Sequence, residues 1–240
     1  RDQTENWFKY CHFWVSPFTT SVISNPAYMG TDEVVAGTYL RESGFNWSGL
    51  YIADGLQRTF DPYCNMWRRD AVYNSIRYCN TFLEKVWGVY NMTDAEKKLW
   101  VAEIKALKAY YYFELAKRYG GGPLIDRVYA DQKEANLPRG TFDEVVGLIL
   151  REIEGVRNEL VVDWRAENLE EKSGRITRGA ALALKSRVLL YAASPQFNPS
   201  GEKSKWAAAA AAAFEVINMG IYSLHPDYGG LFVAETSKIG

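Results

Sequence analysis

The sequence predicts an all-α protein made of tetratricopeptide-like helix pairs that follow irregular, aromatic-rich N-terminal loops. From residue 67 onward, apolar residues recur at the spacing of amphipathic helices, and no alternating run is long enough to predict a strand. The predicted helices form two pairs, 94–118 with 141–160 and 175–194 with 205–220. A recurring helix pair is typical of helical repeats, for which an ordinary helical bundle is the alternative.

Composition places the chain among ordinary globular proteins. Its 240 residues are 48% apolar and 24% charged, which suits one large domain or two small ones. The longest apolar run, Trp206–Phe214, has nine residues, and a membrane-spanning helix needs about twenty. The formal charge is −1, so there is no basic excess to attract nucleic acid or anionic lipid.

The first predicted unit, residues 1–66, consists of short helices and loops that pack on a helical scaffold spanning 67–240. Prolines and glycines interrupt it repeatedly, as at Pro17, Pro26 and Gly30. Tryptophan and tyrosine are scattered through it, and aromatic residues make up 15% of the whole chain. Aromatic rings either fill a helical core or offer flat apolar surfaces on which sugars stack.

The first two scaffold helices are predicted from apolar stripes and end signals. Within 69–86 the stripe consists of Val72, Ile76, Cys79 and Leu83. Thr93 and Glu96 form a capping box that opens a helix to Arg118, and the Gly120–Pro123 run ends that helix. The inner face of this second helix is predicted to comprise Leu99, Ala102, Ala106, Ala109, Phe113 and Ala116.

A second capping box, Thr141 with Glu144, opens the helix predicted over 141–160. Its predicted inner residues are Phe142, Val145, Ile149, Ile153, Val156 and Leu160. The polar stretch 163–173 is then predicted to be a loop or a frayed helix end.

The helix over 175–194 repeats the pattern of the 94–118 helix at an offset of 77 residues. This offset predicts an inner face of Ile176, Gly179, Ala183, Ser186, Leu190 and Ala193. The last helix, 206–220, is predicted to bury Trp206, Ala210, Ala213 or Phe214, and Ile217.

Metal, cofactor and nucleophile signatures are missing from the sequence. The chain has two histidines and three cysteines, Cys11, Cys64 and Cys79, without the spacing of a zinc site. It has neither a phosphate-binding loop nor a serine-hydrolase elbow. We therefore expect no metal and no cofactor. Cys79 is predicted to lie in the core, and one disulfide among the three cysteines is possible.

Several of these segments resemble the SusD/RagB family of outer-membrane glycan-binding lipoproteins. The similarity is strongest over 102–124, which includes the glycine-proline exit, and over 174–195. Further similar stretches are 31–33, 73–80, 139–144, 205–217 and 222–224. The resemblance covers nearly the whole chain from about residue 30.

The resemblance implies a function and a location. Family members capture oligosaccharides at the cell surface without chemistry on them, and act as lids on a SusC-like TonB-dependent transporter. They are also about twice the length of this chain. None of the three cysteines lies in a lipobox, so the resemblance implies a lipid anchor upstream of Arg1.

The resemblance also indicates where a sugar would bind. In the starch-binding prototype, part of the sugar platform follows a Thr-Asp-Glu motif, which corresponds here to Thr31–Glu33. The tryptophan and asparagine of that platform correspond to Ala36 and Arg41, so the starch-type platform is not kept. The candidate carbohydrate-binding residues are the nearest substitutes, Tyr39 and Arg41, with Trp14 and Trp47 from the flanking loops. The alternatives are that the two tryptophans pack on the scaffold and that Arg41 is a solvated charge.

Two other functions stay open at this point. An all-helical glycosidase would also be rich in aromatic and acidic residues, but it needs two carboxylates at a fixed separation. A tetratricopeptide-type interaction module without bound sugar would need only the helix pairs, and not the aromatic-rich first 66 residues.

Overall fold

The computed structural model describes residues 2–12, 72–131, 133–166, 172, 174–224 and 226–232, and its regular elements within these ranges are all helical. The all-α prediction is therefore confirmed. None of the described helices is both long and apolar enough to cross a membrane. The α-helices are α1 (Asp2–His12), α2 (Val72–Lys85), α3 (Asp94–Tyr119), α4 (Phe142–Glu154), α5 (Arg178–Ala193) and α6 (Lys203–Ile217), with short 3₁₀ helices at Val86–Gly88 and Gly229–Phe232.

Helix α3 is the central element, and its 26 residues span roughly 39 Å. It begins at the predicted capping box, where the Glu96 amide donates to Thr93 Oγ1 (3.2 Å) and the Thr93 amide donates to Glu96 Oε2 (2.9 Å). Helices α1, α2, α4 and α5 all contact it, so most of its circumference is buried. The predicted inner face is confirmed from Ala102 to Ala116, and Leu99 is half-buried.

Helix α2 buries its predicted stripe, with Val72, Ile76 and Cys79 almost inaccessible to solvent. At the end of the stripe, Phe82 is buried and Leu83 is half-buried. Phe82 reaches across to α1, where its ring lies 6.0 Å from the ring of Phe8.

Helix α4 begins at the second predicted capping box, formed by Thr141 and Glu144, but it is shorter than predicted. It ends at Glu154 rather than near 160, because Gly155 is a poor helix former and the chain continues in tight turns. The predicted inner residues Val156 and Leu160 are nevertheless buried within these turns.

Helices α5 and α6 form the predicted second pair, but the predicted inner face of α5 is wrong in part. Gly179 and Ala193 are buried as expected, whereas Ala183 is exposed and Leu190 is half-exposed. Helix α5 contacts both α4 and α6, so its buried residues are spread over two faces. They are Gly179, Ala181, Leu182, Val188, Ala192 and Ala193.

The predicted inner face of α6 is wrong for its large apolar residues, which lie on the side away from α5, whereas Ala213, the predicted alternative to Phe214, is half-buried. Trp206, Ala210, Phe214 and Ile217 are exposed, and Ile217 has 69% of its surface open to solvent. The buried residues are Ala209 and Ala212. Small residues at a helix crossing allow close approach, which explains why the alanine side packs on α5. A row of apolar side chains is thereby left on the outer side of α6.

A charged cluster joins the second helix pair to α4. Lys185 of α5 lies 2.5 Å from Glu154 of α4 and 2.7 Å from Glu215 of α6. Arg157, in the turn after α4, contacts the same two carboxylates at 3.1 and 2.8 Å. The cluster thus ties three helices together at one point.

Candidate functional site

The four predicted sugar-binding residues, Trp14, Tyr39, Arg41 and Trp47, lie outside the residues that the structure describes. The structure does describe the two helices that hold the ends of the segment carrying them. Helix α1 ends at His12 and helix α2 begins at Val72, so the intervening segment leaves one helix and enters the other.

Helices α1 and α2 pack side by side in opposite directions. Phe8 contacts Phe82, and one turn further along α1 the side chain of Cys11 contacts Cys79, one turn earlier in α2. The C-terminal end of α1 therefore lies beside the middle of α2. Because the two helices are antiparallel, the C-terminal end of α1 and the N-terminal end of α2 point toward the same end of the helical scaffold, which we call the loop end.

Helix α3 fixes the loop end from inside. The buried Tyr111 hydroxyl donates a 2.6 Å hydrogen bond to the carbonyl oxygen of Cys11, near the last turn of α1. Burial raises the pKa of Tyr111 above its usual value, and the protonated hydroxyl is the donor in this hydrogen bond.

The chain that follows α3 also lies at the loop end. Gly122 lies near the hydroxyl of Tyr73 in the first turn of α2. The Ile125 amide donates to the Tyr112 hydroxyl (2.6 Å), and Asn80 Nδ2 donates to the Ile125 and Arg127 carbonyl oxygens at 3.1 and 3.2 Å. These bonds hold the glycine-proline exit against α2 and α3.

This exit brings aromatic and charged side chains to the loop end that the sequence analysis did not single out. Tyr119 is about half-exposed, and Arg139 donates to the carbonyl oxygens of Tyr119 and Gly121. Arg127 lies 4.8 Å from the ring centre of Tyr129 and forms an exposed ion pair. In the sequence, these side chains are marked by the Gly120–Pro123 run, which was interpreted above only as the end of a helix. Exposed rings and fixed cationic donors suit the apolar faces and hydroxyls of sugars.

The buried carboxylates of the described chain are all engaged by cations. Glu103 is paired with Arg175, and Glu114 is paired with Lys117 and Arg118. None of the described residues forms a group of three or more His, Cys, Asp or Glu side chains able to hold a metal ion. Both buried acids therefore serve the scaffold.

Glu103 is the more deeply buried of the two acids, and Arg175 binds it through two hydrogen bonds. Arg175 Nε and Nη2 donate to the two carboxylate oxygens at 2.9 and 2.6 Å. The guanidinium carbon also lies 4.8–5.9 Å from the ring centres of Phe8, Trp100 and Trp164. Arg175 thus joins α1, α3 and the turn at 164–166 to the segment that leads into α5.

The pH dependence of stability should carry a signature of this pair. Burial raises the pKa of Glu103 to about 6, against the opposing effect of Arg175. The folded protein therefore holds this proton more tightly than the unfolded chain, whose ordinary pKa is 4.5. The contribution of this proton to the free energy of unfolding is complete below pH 4.5 and is lost as the pH rises through 6. We expect it to fall by about 2 kcal/mol over this window.

Urea unfolding of the wild type and of Glu103→Gln between pH 4 and 7 measures this effect. The wild-type free energy of unfolding, relative to that of the variant, should decrease as the pH rises. The exposed Glu134→Gln serves as the control, because it keeps Glu103: the wild-type free energy of unfolding relative to that of Glu134→Gln should show no such decrease. A difference between wild type and Glu103→Gln that stays constant with pH contradicts the prediction.

Comparison with protein families matches most of the chain to a family model. Residues 25–190, more than two thirds of the chain, match the model of the SusD-like family, described as starch-binding and associating with the outer membrane. The match includes Tyr39, Arg41 and Trp47 and begins after Trp14. No curated protein matches the chain.

Solved structures with the same fold come from this family. A SusD superfamily protein of Parabacteroides distasonis is 25% identical, with a TM-score of 0.72 over 98% of this chain and 48% of its own. A SusD-like protein of Bacteroides fragilis is 28% identical, with a TM-score of 0.58 over 69% of this chain and 30% of its own. A laminarin-binding SusD-like protein, 21% identical with a TM-score of 0.72 over 98% of this chain and 49% of its own, shares the fold. The chain thus spans less than half the length of each of these structures.

Proposed function

Because the chain belongs to the SusD-like family, we propose that it captures oligosaccharides at the outer membrane and passes them, unaltered, to a TonB-dependent transporter. The observation that carries this proposal is the family match over 25–190, which joins the helical scaffold to most of the predicted sugar-binding segment.

We assign the binding surface to the loop end of the scaffold. Tyr39 and Trp47 would supply stacking rings, Trp14 a further ring, and Arg41 hydrogen bonds to sugar hydroxyls. The described residues nearest to this role are Tyr119, with its half-exposed ring, and Arg139. Each aromatic contact contributes on the order of 1 kcal/mol beyond the area it buries, so several rings are needed for useful affinity.

Affinity electrophoresis tests both the function and the site. The protein isolated from its source is run in native gels containing starch, laminarin or other polysaccharides, beside a Tyr39→Ala/Trp47→Ala variant. We expect at least one polysaccharide to retard the wild type, and the double variant to lose most of this retardation because two stacking surfaces are gone.

A matched control variant replaces one tryptophan and one tyrosine at the opposite end of the scaffold. Trp87 and Tyr90 follow α2 at its C-terminal end and are exposed, Tyr90 almost completely. The Trp87→Ala/Tyr90→Ala variant should be retarded like the wild type. Retardation that survives in Tyr39→Ala/Trp47→Ala contradicts the site and leaves the function standing. A wild type that no polysaccharide retards contradicts the function.

Release of reducing sugar from the retarding polysaccharide separates capture from hydrolysis. Because both buried carboxylates of the described scaffold are paired with internal cations, we expect no release of reducing sugar.

Delivery to a transporter is tested by purifying the protein from detergent-solubilised outer membranes. A TonB-dependent barrel should co-purify with it.

A second candidate function is that of a protein-interaction module, which the outer row of α6 favours. Trp206, Phe214 and Ile217 are exposed on one side of this helix, and each repeat of a helical array packs on its neighbour through such a face. Electrophoresis in polysaccharide separates the two functions, because a pure interaction module is retarded by no glycan.

A further inference from the structure

Two cysteines meet where α1 packs on α2. Cys11 and Cys79 are both fully buried and carry free thiols, and the side chain of Cys79 lies within hydrogen-bonding range of Cys11. They are 68 positions apart in the chain, yet the antiparallel packing that pairs Phe8 with Phe82 also pairs them.

Their surroundings do not suit a nucleophile or a metal site. Burial and the neighbouring Cys11 thiol raise the pKa of Cys79 well above its usual value, so the reactive thiolate is suppressed in the folded protein. The described residues provide no third His, Cys, Asp or Glu to complete a metal site with the two sulfurs. The two thiols are thus unreactive in the folded protein.

We propose that Cys11 and Cys79 form a disulfide that fastens α1 to α2 at the loop end. Two thiols lose two protons and two electrons as the S–S bond forms, and a disulfide oxidant, such as a dithiol oxidase of the cell envelope, is reduced to two thiols. The expectation that such an oxidant meets the chain follows from the proposed outer-membrane location, because disulfides persist outside the cytoplasm. The exchange takes place before α1 docks, since the docked thiols are inaccessible.

The bridge has a structural consequence for the predicted sugar-binding segment. Segment 13–71 leaves α1 next to Cys11 and enters α2 seven positions before Cys79. The cross-link therefore fastens the C-terminal end of α1, from which this segment leaves, to the middle of α2, together with the Tyr111 hydrogen bond to Cys11. It also restricts the unfolded chain, which is the usual origin of disulfide stabilisation.

Peptide mapping decides whether the bridge exists. The protein isolated from its source is alkylated in denaturant without reductant and digested with trypsin, which places Cys11, Cys64 and Cys79 in three separate peptides: 10–41, 59–68 and 78–85. We expect peptides 10–41 and 78–85 to be joined, with a mass two hydrogens below the sum of their thiol forms, and peptide 59–68 to be alkylated. Alkylation of all three cysteines, or a bridge to Cys64, overturns the proposal.

Thermal unfolding with and without reductant gives a second readout. Reductant should lower the Tm of the wild type and of the control Cys64→Ser by roughly 5–10 °C, and leave the Tm of Cys79→Ala unchanged. A reductant effect that persists in Cys79→Ala also overturns the proposal. If Cys79→Ala does not fold, the wild-type peptide map alone decides. Neither readout depends on sugar binding, so failure here is distinct from failure of the proposed function.

Discussion

Replacing Arg175 by alanine is expected to lower the free energy of unfolding by about 3–5 kcal/mol, as is typical when one partner of a buried ion pair is removed. The carboxylate of Glu103 is completely buried, and Arg175 donates one hydrogen bond to each of its two oxygens. Without the guanidinium, the carboxylate must take up a proton or remain charged in an apolar environment. The substitution also removes the cation that lies against Phe8, Trp100 and Trp164.

The chain contains a matched control with the same chemistry at the surface. Arg127 pairs with Glu134 at 2.8 Å and lies 4.8 Å from the ring centre of Tyr129, but its side chain is 62% exposed. Because water screens an exposed ion pair, Arg127→Ala should cost at most about 1 kcal/mol. Equilibrium unfolding in urea measures both variants, and equal losses would contradict the importance of burial.

A double-mutant cycle isolates the pair itself. Arg175→Ala combined with Glu103→Gln removes both charges, so the double variant should lose less stability than the sum of the two single variants. Strict additivity would mean that the carboxylate finds another partner when Arg175 is absent.

The start of each helix in the first pair was predictable because the capping signals are local. Thr93 with Glu96 and Thr141 with Glu144 form the reciprocal hydrogen bonds that their spacing predicts. The inner face of α3 was also predictable, because a helix contacted on most sides buries its apolar stripe whichever neighbours it has.

The inner faces of α5 and α6 were less predictable because both helices are apolar on more than one side. Periodicity located a stripe of large residues in α6, from Trp206 to Ile217, but it carries no information about which helix covers that stripe. Close approach to α5 favours the opposite side, where Ala209 and Ala212 lie. The stripe is real, and its assignment to the interior was the error.

Contacts between distant positions could not be predicted from one sequence. The Glu103–Arg175 pair and the Cys11–Cys79 contact join residues about 70 positions apart, and both depend on how whole helices dock. The loop end is a consequence of the same docking. The four predicted sugar-binding residues, which depend on the family resemblance, stay predictions.

Replacing Gly121 by alanine is expected to lower the free energy of unfolding by about 3 kcal/mol, at the upper end of the usual cost of overpacking. A Cβ atom at this position would lie 2.0 Å from the carbonyl oxygen of Gly140 and 2.9 Å from the carbonyl carbon of Thr141. Both obstacles are backbone atoms, so no side-chain rotation relieves the clash. The two chain segments must separate, which strains the hydrogen bond from the Gly140 amide to the Gly122 carbonyl oxygen (3.0 Å).

The neighbouring glycine provides the control. A Cβ at Gly122 would meet only the Tyr73 hydroxyl, at an ordinary contact distance of 3.6 Å. Gly122→Ala should therefore stay within about 1 kcal/mol of the wild type in urea unfolding. Equal effects of the two substitutions would show that the Gly121 and Gly140 backbones are not in contact in solution.

The Gly121 substitution also has a consequence for function, because the strained contact lies at the loop end. Thr141 caps α4, and Arg139 donates to Gly121 and Tyr119, so separation of the two segments moves the side chains nearest to the proposed sugar surface. Gly121→Ala should therefore weaken polysaccharide retardation under conditions in which the variant is still folded, whereas Gly122→Ala should not. Retardation equal to that of the wild type would place the sugar surface away from this exit, even if the loss of stability is as large as expected.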